Sequence, residues 1–429
     1  MIFDKKVRKR RKRRSQKNLD DMLWQEDTQT EGESGQSEDR ERPHMPSDLE
    51  AHKSKRRRRR KRRRIRSLIL VVLLVLVGVI AYFALQRMSF GSYQVVTVSE
   101  SQTASDAHFA LLDSRVLKYS VDGVSLLDKK MESVWDSTYT MQNPMIDVCA
   151  QTAVIYNQSG TNMVVIDESG VLGEVTTTLP IVKAKVAKQG VVAAILDDGD
   201  STWINFYQSD GTLIAENQTR VDDPGYPLDI AVSEDGLLIM VSYQFVESES
   251  TTSYVAFYNF GETGQSQIDN LVSGFTYDST VVPQVKLLED SLFVAYRDNG
   301  ISLYSGQQVP KEIASIAIEE EIVSTFSGDG VVGMVYKNTS GDEQYTMKVY
   351  DYKGEEKFER SFSISFTSIQ VSGGYIILNN DTQVSVFNLS GVEKYNGNVD
   401  EGTIKSLLKT GFNRYFLATD TGIQSIKFK

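Results

Sequence analysis

A chain of 429 residues with a formal net charge of -10 can hold one large domain or two ordinary ones, but that bulk charge conceals a division. Residues 1–66 carry 24 Lys and Arg against 12 Asp and Glu, whereas the rest of the chain carries 23 against 45. One cysteine, Cys149, excludes an intramolecular disulfide, and three histidines leave little material for zinc coordination or histidine-based catalysis.

The N-terminal 66 residues run from a basic start (residues 5–17) through an acidic polar stretch (20–50) to a dense basic block (53–66). Low hydrophobicity and segregated charge predict a disordered tail. The cluster Leu19, Met22, Leu23 and Trp24 is read as a stray in that tail, with a docking helix as the other reading. Residues 67–85 follow without a charge. At about 1.5 Å per residue they would reach roughly 28 Å, close to the hydrocarbon thickness of a bilayer. The leader is too long for a signal-peptide n-region, and Ala81-Tyr-Phe-Ala84 is a poor cleavage site. An uncleaved transmembrane helix over residues 67–86 is therefore expected. With the basic block on one side and only Arg87 close on the other, the N-terminus is expected in the cytoplasm and the remainder outside, at the cell membrane. The block at residues 53–66 would also contact anionic lipid headgroups. Its position beside a span argues against a nucleic-acid patch.

Beyond an expected linker at 87–92, the texture is one of short β-branched and aromatic runs separated by Gly, Asp, Asn and Ser. One unit recurs, an apolar run ending in an aliphatic or aromatic residue and followed by polar residues. Its equivalent positions are Leu127, Ile166, Tyr207, Tyr258, Tyr304, Tyr350, Phe387 and Ile426, in steps of 37 to 51 residues. A second apolar run precedes each unit. An all-strand period of this length predicts an all-β fold, a β-propeller over residues 93–429, with eight blades expected and seven as the alternative. The recurring unit would be the third strand of each blade and the run before it the second. The last unit ends with the chain, so Tyr93-Gln-Val-Val-Thr-Val98 is expected to complete the last blade and remove two open edges.

Leu126-Leu-Asp-Lys-Lys-Met-Glu-Ser-Val-Trp135 resembles the repeat of the quinoprotein-dehydrogenase-like propellers, in which an aspartate, a turn and a tryptophan recur. Only this blade keeps the tryptophan; Trp203 falls elsewhere in its unit. The layout of basic tail, single anchor and exported propeller also resembles an uncharacterised family of membrane-anchored propeller proteins of Gram-positive bacteria, which implies no activity. Quinone chemistry in the resembling superfamily uses a vicinal disulfide, which one cysteine cannot form.

No catalytic, cofactor or metal-ligating residues are expected. His108 has no nucleophile motif nearby, Cys149 lies in an apolar strand-like run, and Asp197-Asp-Gly-Asp200 and Asp222-Asp223 lack EF-hand spacing. With so many acidic residues, some carboxylate pair meets a glycosidase separation by chance. A non-catalytic binding or scaffolding propeller is the expected function. A carbohydrate-active enzyme of the cell surface and an envelope signal transducer are the alternatives. In a four-stranded blade, the connections between strands one and two and between three and four fall on one face. Those between two and three, and between blades, fall on the other. The second face receives the longer, acidic segments, so Asp197, Asp198, Asp200, Asp222, Asp223, Glu319, Glu320, Glu321, Asp342, Glu343, Asp400 and Glu401 are the candidate interaction face. A protein or cell-envelope partner, basic in character, is expected there.

Overall fold

A computed structural model describes residues 48–99, 106–199, 201–220, 224–247, 250–339, 342–400 and 402–429. The predicted disorder of residues 1–47 lies outside them.

Residues 48–66 are helical, which corrects the expectation of disorder there. They begin a helix, Asp48–Arg87, that runs on through the uncharged segment. Arg, Lys and Leu are strong helix formers, and the segment has no proline. Local propensity thus outweighs the like-charge repulsion of the basic block. The side chains described without interruption in this helix, residues 65–81, are all exposed. Among the described residues no helix is long and apolar enough to cross a membrane.

From Tyr93 onward, the described strands form eight four-stranded antiparallel sheets. Seven use four consecutive strands each: residues 108–138, 144–176, 181–219, 226–277, 284–317, 322–362 and 368–398, here blades 1 to 7. Blade 8 takes Ile404–Gly411, Arg414–Thr419 and Ile423–Phe428 and finishes with Tyr93–Ser99 as its outermost strand. Tyr93 lies opposite Phe428 and Ser99 opposite Ile423, with a bulge between Val95 and Thr97. The count of eight, the assignment of second and third strands, and closure by the first strand all match expectation.

The core is distributed between blades. In the second strand of blade 2, Thr152–Asn157, Ala153 and Ile155 pack toward blade 1 while Val154 and Tyr156 pack toward blade 3. Both faces of such a strand are buried, so its sequence is an unbroken apolar run rather than an alternation. At about 1.5–3 kcal/mol for each large side chain buried, these interblade clusters are the main stabilising term.

The polar residue ending the recurring unit has a structural duty. Oδ1 of Asp128 accepts the N–H groups of Lys130 and Glu132 at 2.7 and 3.0 Å. Asp351 does the same for Lys353 and Glu355, and Asn388 for Ser390 and Val392. Each side chain thus organises the turn between the third and fourth strands. Such turns need a left-handed residue, supplied in blade 7 by Gly391 at φ +77°.

Candidate functional site

The first strand of each blade runs from a face carrying the interblade and second-to-third-strand connections, the loop face, to the opposite turn face. Among the described residues, Asp197, Asp198, Glu319, Glu320, Glu321, Asp342, Glu343 and Asp400 all lie in loop-face connections or at strand ends beside them, and all but Asp197 are exposed. Asp200, Asp222, Asp223 and Glu401 lie outside the described residues. The fold adds Asp122, Asp278, Asp298, Asp381 and Asp420 to the same face, and Arg220 is the one cation in its described connections.

These carboxylates do not act alike. Asp197 is half-buried: its Oδ1 accepts Gly199 N–H at 2.7 Å and its Oδ2 accepts the Tyr226 hydroxyl at 2.7 Å. The Tyr226 phenol is pushed up to about 12, first by burial and then by that carboxylate. Asp198 accepts Ser201 N–H at 2.8 Å, and Glu343 accepts the Ser363 hydroxyl. Glu319, Glu320 and Glu321 stand exposed in one connection between blades 5 and 6, the densest anionic point among the described residues of the face. Among those residues, no group of three or more His, Cys, Asp or Glu side chains is placed to hold a metal ion.

The sorting of connections by length is looser than expected. Arg297–Gly300 on the loop face is a two-residue hairpin. On the turn face, residues 260–270 form a long connection in blade 4 that contains the helical turn Glu262–Gln265. Both faces carry carboxylates, but the described turn-face connections and the chain end there also hold Lys129, Lys130, Lys188, Lys353 and Lys429, whereas the described connections of the loop face hold Arg220 alone. The tight turns at Ser209-Asp-Gly211, Ser233-Glu-Asp-Gly236, Ser327-Gly-Asp-Gly330 and Ser372-Gly-Gly374 do fall on the turn face.

The chain also enters on the turn face. Residues 87–92, expected as a linker, are bound along most of their length. Phe90 N–H donates to the Lys394 carbonyl at 2.6 Å, and Gly91 and Ser92 N–H donate to the Lys429 carbonyl at 3.0 and 3.2 Å. Just upstream, Asn388 Nδ2 donates to Oε1 of Gln86 at 2.7 Å, and the ammonium of the buried Lys394 donates to the Met88 carbonyl. Because Tyr93 pairs with Phe428 at the end of a third strand, chain direction places all these contacts on the turn-face rim of blades 7 and 8.

A site that was not foreseen lies around the ring axis. The first strands Pro144–Cys149, Ile181–Val186, Tyr226–Val232 and Gln284–Glu289 line a cavity of about 200 Å³ with Asp147, Cys149, Lys185, Glu234, Lys286 and Glu289 on its walls. Lys185 pairs with Asp147 at 2.8 Å, and nearby Lys183 pairs with Asp229 at 3.0 Å. Both carboxylates also bind main chain of the next blade, Asp147 to Val186 N–H at 3.0 Å and Asp229 to Val285 N–H at 2.9 Å. They therefore brace neighbouring first strands. Burial alone would lower the Lys185 pKa, but Asp147 and Asp229 together raise it. Lys286 is lowered, by burial first and by Lys185 second. The Cys149 thiol is pushed up to about 11 by burial, then by Glu234 and Asp147, so it stays protonated and unreactive at neutral pH. His108 is exposed and stacks on Tyr119 with ring centroids 5.3 Å apart. The sequence signal for this site was the pair of lysines two apart in Ile181-Val-Lys-Ala-Lys-Val186, charges placed on one side of an otherwise apolar strand.

A family of unknown function (DUF5711) matches residues 86–428. No curated protein matches the chain at a significant level. Among solved structures, Sqt1 of Chaetomium thermophilum, bound to the N-terminus of the ribosomal protein L10, has a TM-score of 0.51 at 12% identity and covers 79% of this chain and 100% of its own. Sqt1 of Saccharomyces cerevisiae has a TM-score of 0.50 at 14% identity and covers 80% and 100%. BamB of Moraxella catarrhalis has a TM-score of 0.49 at 14% identity and covers 78% and 100%. At such identities the likeness is one of fold.

Proposed function

We propose that this chain, which belongs to the DUF5711 family of unknown function, is a non-catalytic, single-pass membrane-anchored propeller that holds its acidic loop face toward a cationic protein partner outside the cell. The anchor is the uncharged run at residues 67–85, with the basic block of residues 53–66 on the cytoplasmic side. The observation that carries the reading is the path of the chain. Residues 86–92 join the propeller on the turn face, so the loop face and its exposed carboxylates point away from the point of attachment. A rigid ring bearing one sign of charge on its free face attracts an oppositely charged partner and speeds encounter. That attraction weakens with salt, because the screening length falls to about 8 Å at physiological ionic strength.

The test changes Glu319, Glu320 and Glu321 to Gln and Asp342 to Asn in the full chain and crosslinks intact cells. Their side chains are exposed, so the changes remove charge without uncovering the core. A control set alters Glu132, Glu262 and Glu355 to Gln on the turn face. Loss of the crosslinked partner from the first set alone, with recovery falling as salt rises, is the expected result. Equal recovery from both sets would reduce the acidic face to a solubility device.

A further inference from the structure

Phe412 is fully exposed, at 100% of its surface. It stands in the two-residue turn between Ile404–Gly411 and Arg414–Thr419, on the turn face of blade 8. The turn is held in place: Nδ2 of Asn413 donates to the Phe428 carbonyl at 3.1 Å. The next residue, Lys429, exchanges main-chain hydrogen bonds with Gly91 and Ser92. The phenyl ring therefore sits on the rim at which the chain enters the propeller.

The charge around it is mostly positive. Arg414 and Lys429 are exposed, and Arg115 and Lys129 line, with Thr410, a cleft between blades 8 and 1. Lys130 follows. The opposing carboxylates are Asp113 and Glu132, while Asp128 is engaged with the N–H groups of its own turn. A second exposed apolar side chain of the same face, Ile268 at 86%, stands in the long connection of blade 4. An apolar ring fixed on a rigid turn is poorly placed in water and gains by burial at the boundary between headgroups and acyl chains, where flanking cations meet anionic headgroups.

We infer that the turn face around Phe412 lies against the anionic surface of the membrane, with the Phe412 ring inserted among the headgroups. This rests on the anchored reading above. The docked segment at residues 86–92 then acts as a short strut that lays the propeller on the bilayer rather than as a tether that lets it tumble.

The full chain is reconstituted in nanodiscs of phosphatidylcholine and phosphatidylglycerol. Cys149 is changed to Ala, and a cysteine bearing an environment-sensitive fluorophore replaces either Phe412 or, as a control on the loop face, Glu320. Emission at position 412 is expected to shift to the blue and to be quenched several-fold more by headgroup-region doxyl lipids than emission at position 320. Changing Lys129 and Arg414 to Glu should reduce that quenching. Equal, water-like emission at both positions in protein that remains in the nanodiscs overturns the inference and leaves anchoring intact. Protein that fails to enter nanodiscs or to float with vesicles overturns the anchored reading itself.

Discussion

Tyr93 sits opposite Phe428 in the antiparallel pair that closes the ring, and the Phe428 ring stacks on Tyr395 at 4.3 Å and meets Tyr415 edge-on at 4.6 Å. The first strand after the helix Asp48–Arg87 is thus tied into the cluster between blades 7 and 8, where Tyr93 and Val95 are partly buried. Removing residues 93–98 would strip the outer strand from Ile423–Phe428 and uncover that cluster. The expected loss is on the order of 5 kcal/mol, from several apolar side chains and a row of main-chain hydrogen bonds. Urea unfolding of the full chain in detergent, compared with the deletion variant, reads it directly. An unchanged midpoint would show that the strand does not hold the ring closed.

The pair of Asp147 and Lys185 offers a second test. Their side chains keep 19% and 26% of their exposure, so breaking the pair should cost less than the 3–5 kcal/mol of a fully buried one. Asp147→Ala is expected to lose about 2 kcal/mol, because it strands Lys185 and leaves Val186 N–H unpaired. Lys185→Met should lose less, and the double variant less than the sum. A double-mutant cycle with no coupling would mean that the two groups are held apart in solution.

Two glycines separate backbone strain from crowding. Gly374 has φ +81° with open space where a Cβ would stand, whereas Gly391, at φ +77°, would bring a Cβ within 2.7 Å of Phe358. Alanine at Gly374 should cost about 1 kcal/mol from the left-handed conformation alone, and alanine at Gly391 roughly 2–4 kcal/mol. Equal costs at the two sites would remove the packing contribution assigned to Phe358.

Lys286 lines the axial cavity with its side chain exposed there, and it shares the cavity walls with Lys185, Asp147, Glu234 and Glu289. Its pKa is lowered by burial and by Lys185, with Asp147 offsetting only part. The charged form is therefore penalised in the fold at neutral pH. That penalty fades as pH rises from the lowered value to the unfolded one, about 10.4. Because the Lys286 side chain is exposed and solvent screens its charge, Lys286→Met should gain only a few tenths of a kcal/mol at pH 7, and that gain should shrink toward pH 10.5. A difference that stays constant with pH would trace to packing rather than to charge.

Much of this protein is legible without coordinates. The repeating unit ending at Leu127, Ile166 and their equivalents fixed the strand class and the number of blades, because a strand buried on both faces must be apolar throughout and its turn must carry Asp or Asn and often Gly. The unpaired run at 93–98 implied closure, since an open sheet edge is costly. The helix over residues 48–66 was missed because charge segregation was weighed above the helix propensity of Arg and Lys. Of the candidate acidic face, Glu319, Glu320 and Glu321 were readable as exposed charges, but Asp197 and Asp198 proved to be bound into local structure.

Pairing by period is a property of neighbours in sequence, so the chain alone determined the blades, their order and the segregation of its charge. What stands beside what across blades depends on strand direction and on the angle of each blade, which no local pattern encodes. Only the folded ring therefore decided that Asp147 meets Lys185, that Asn388 holds Gln86, and that Phe412 shares a rim with the incoming chain.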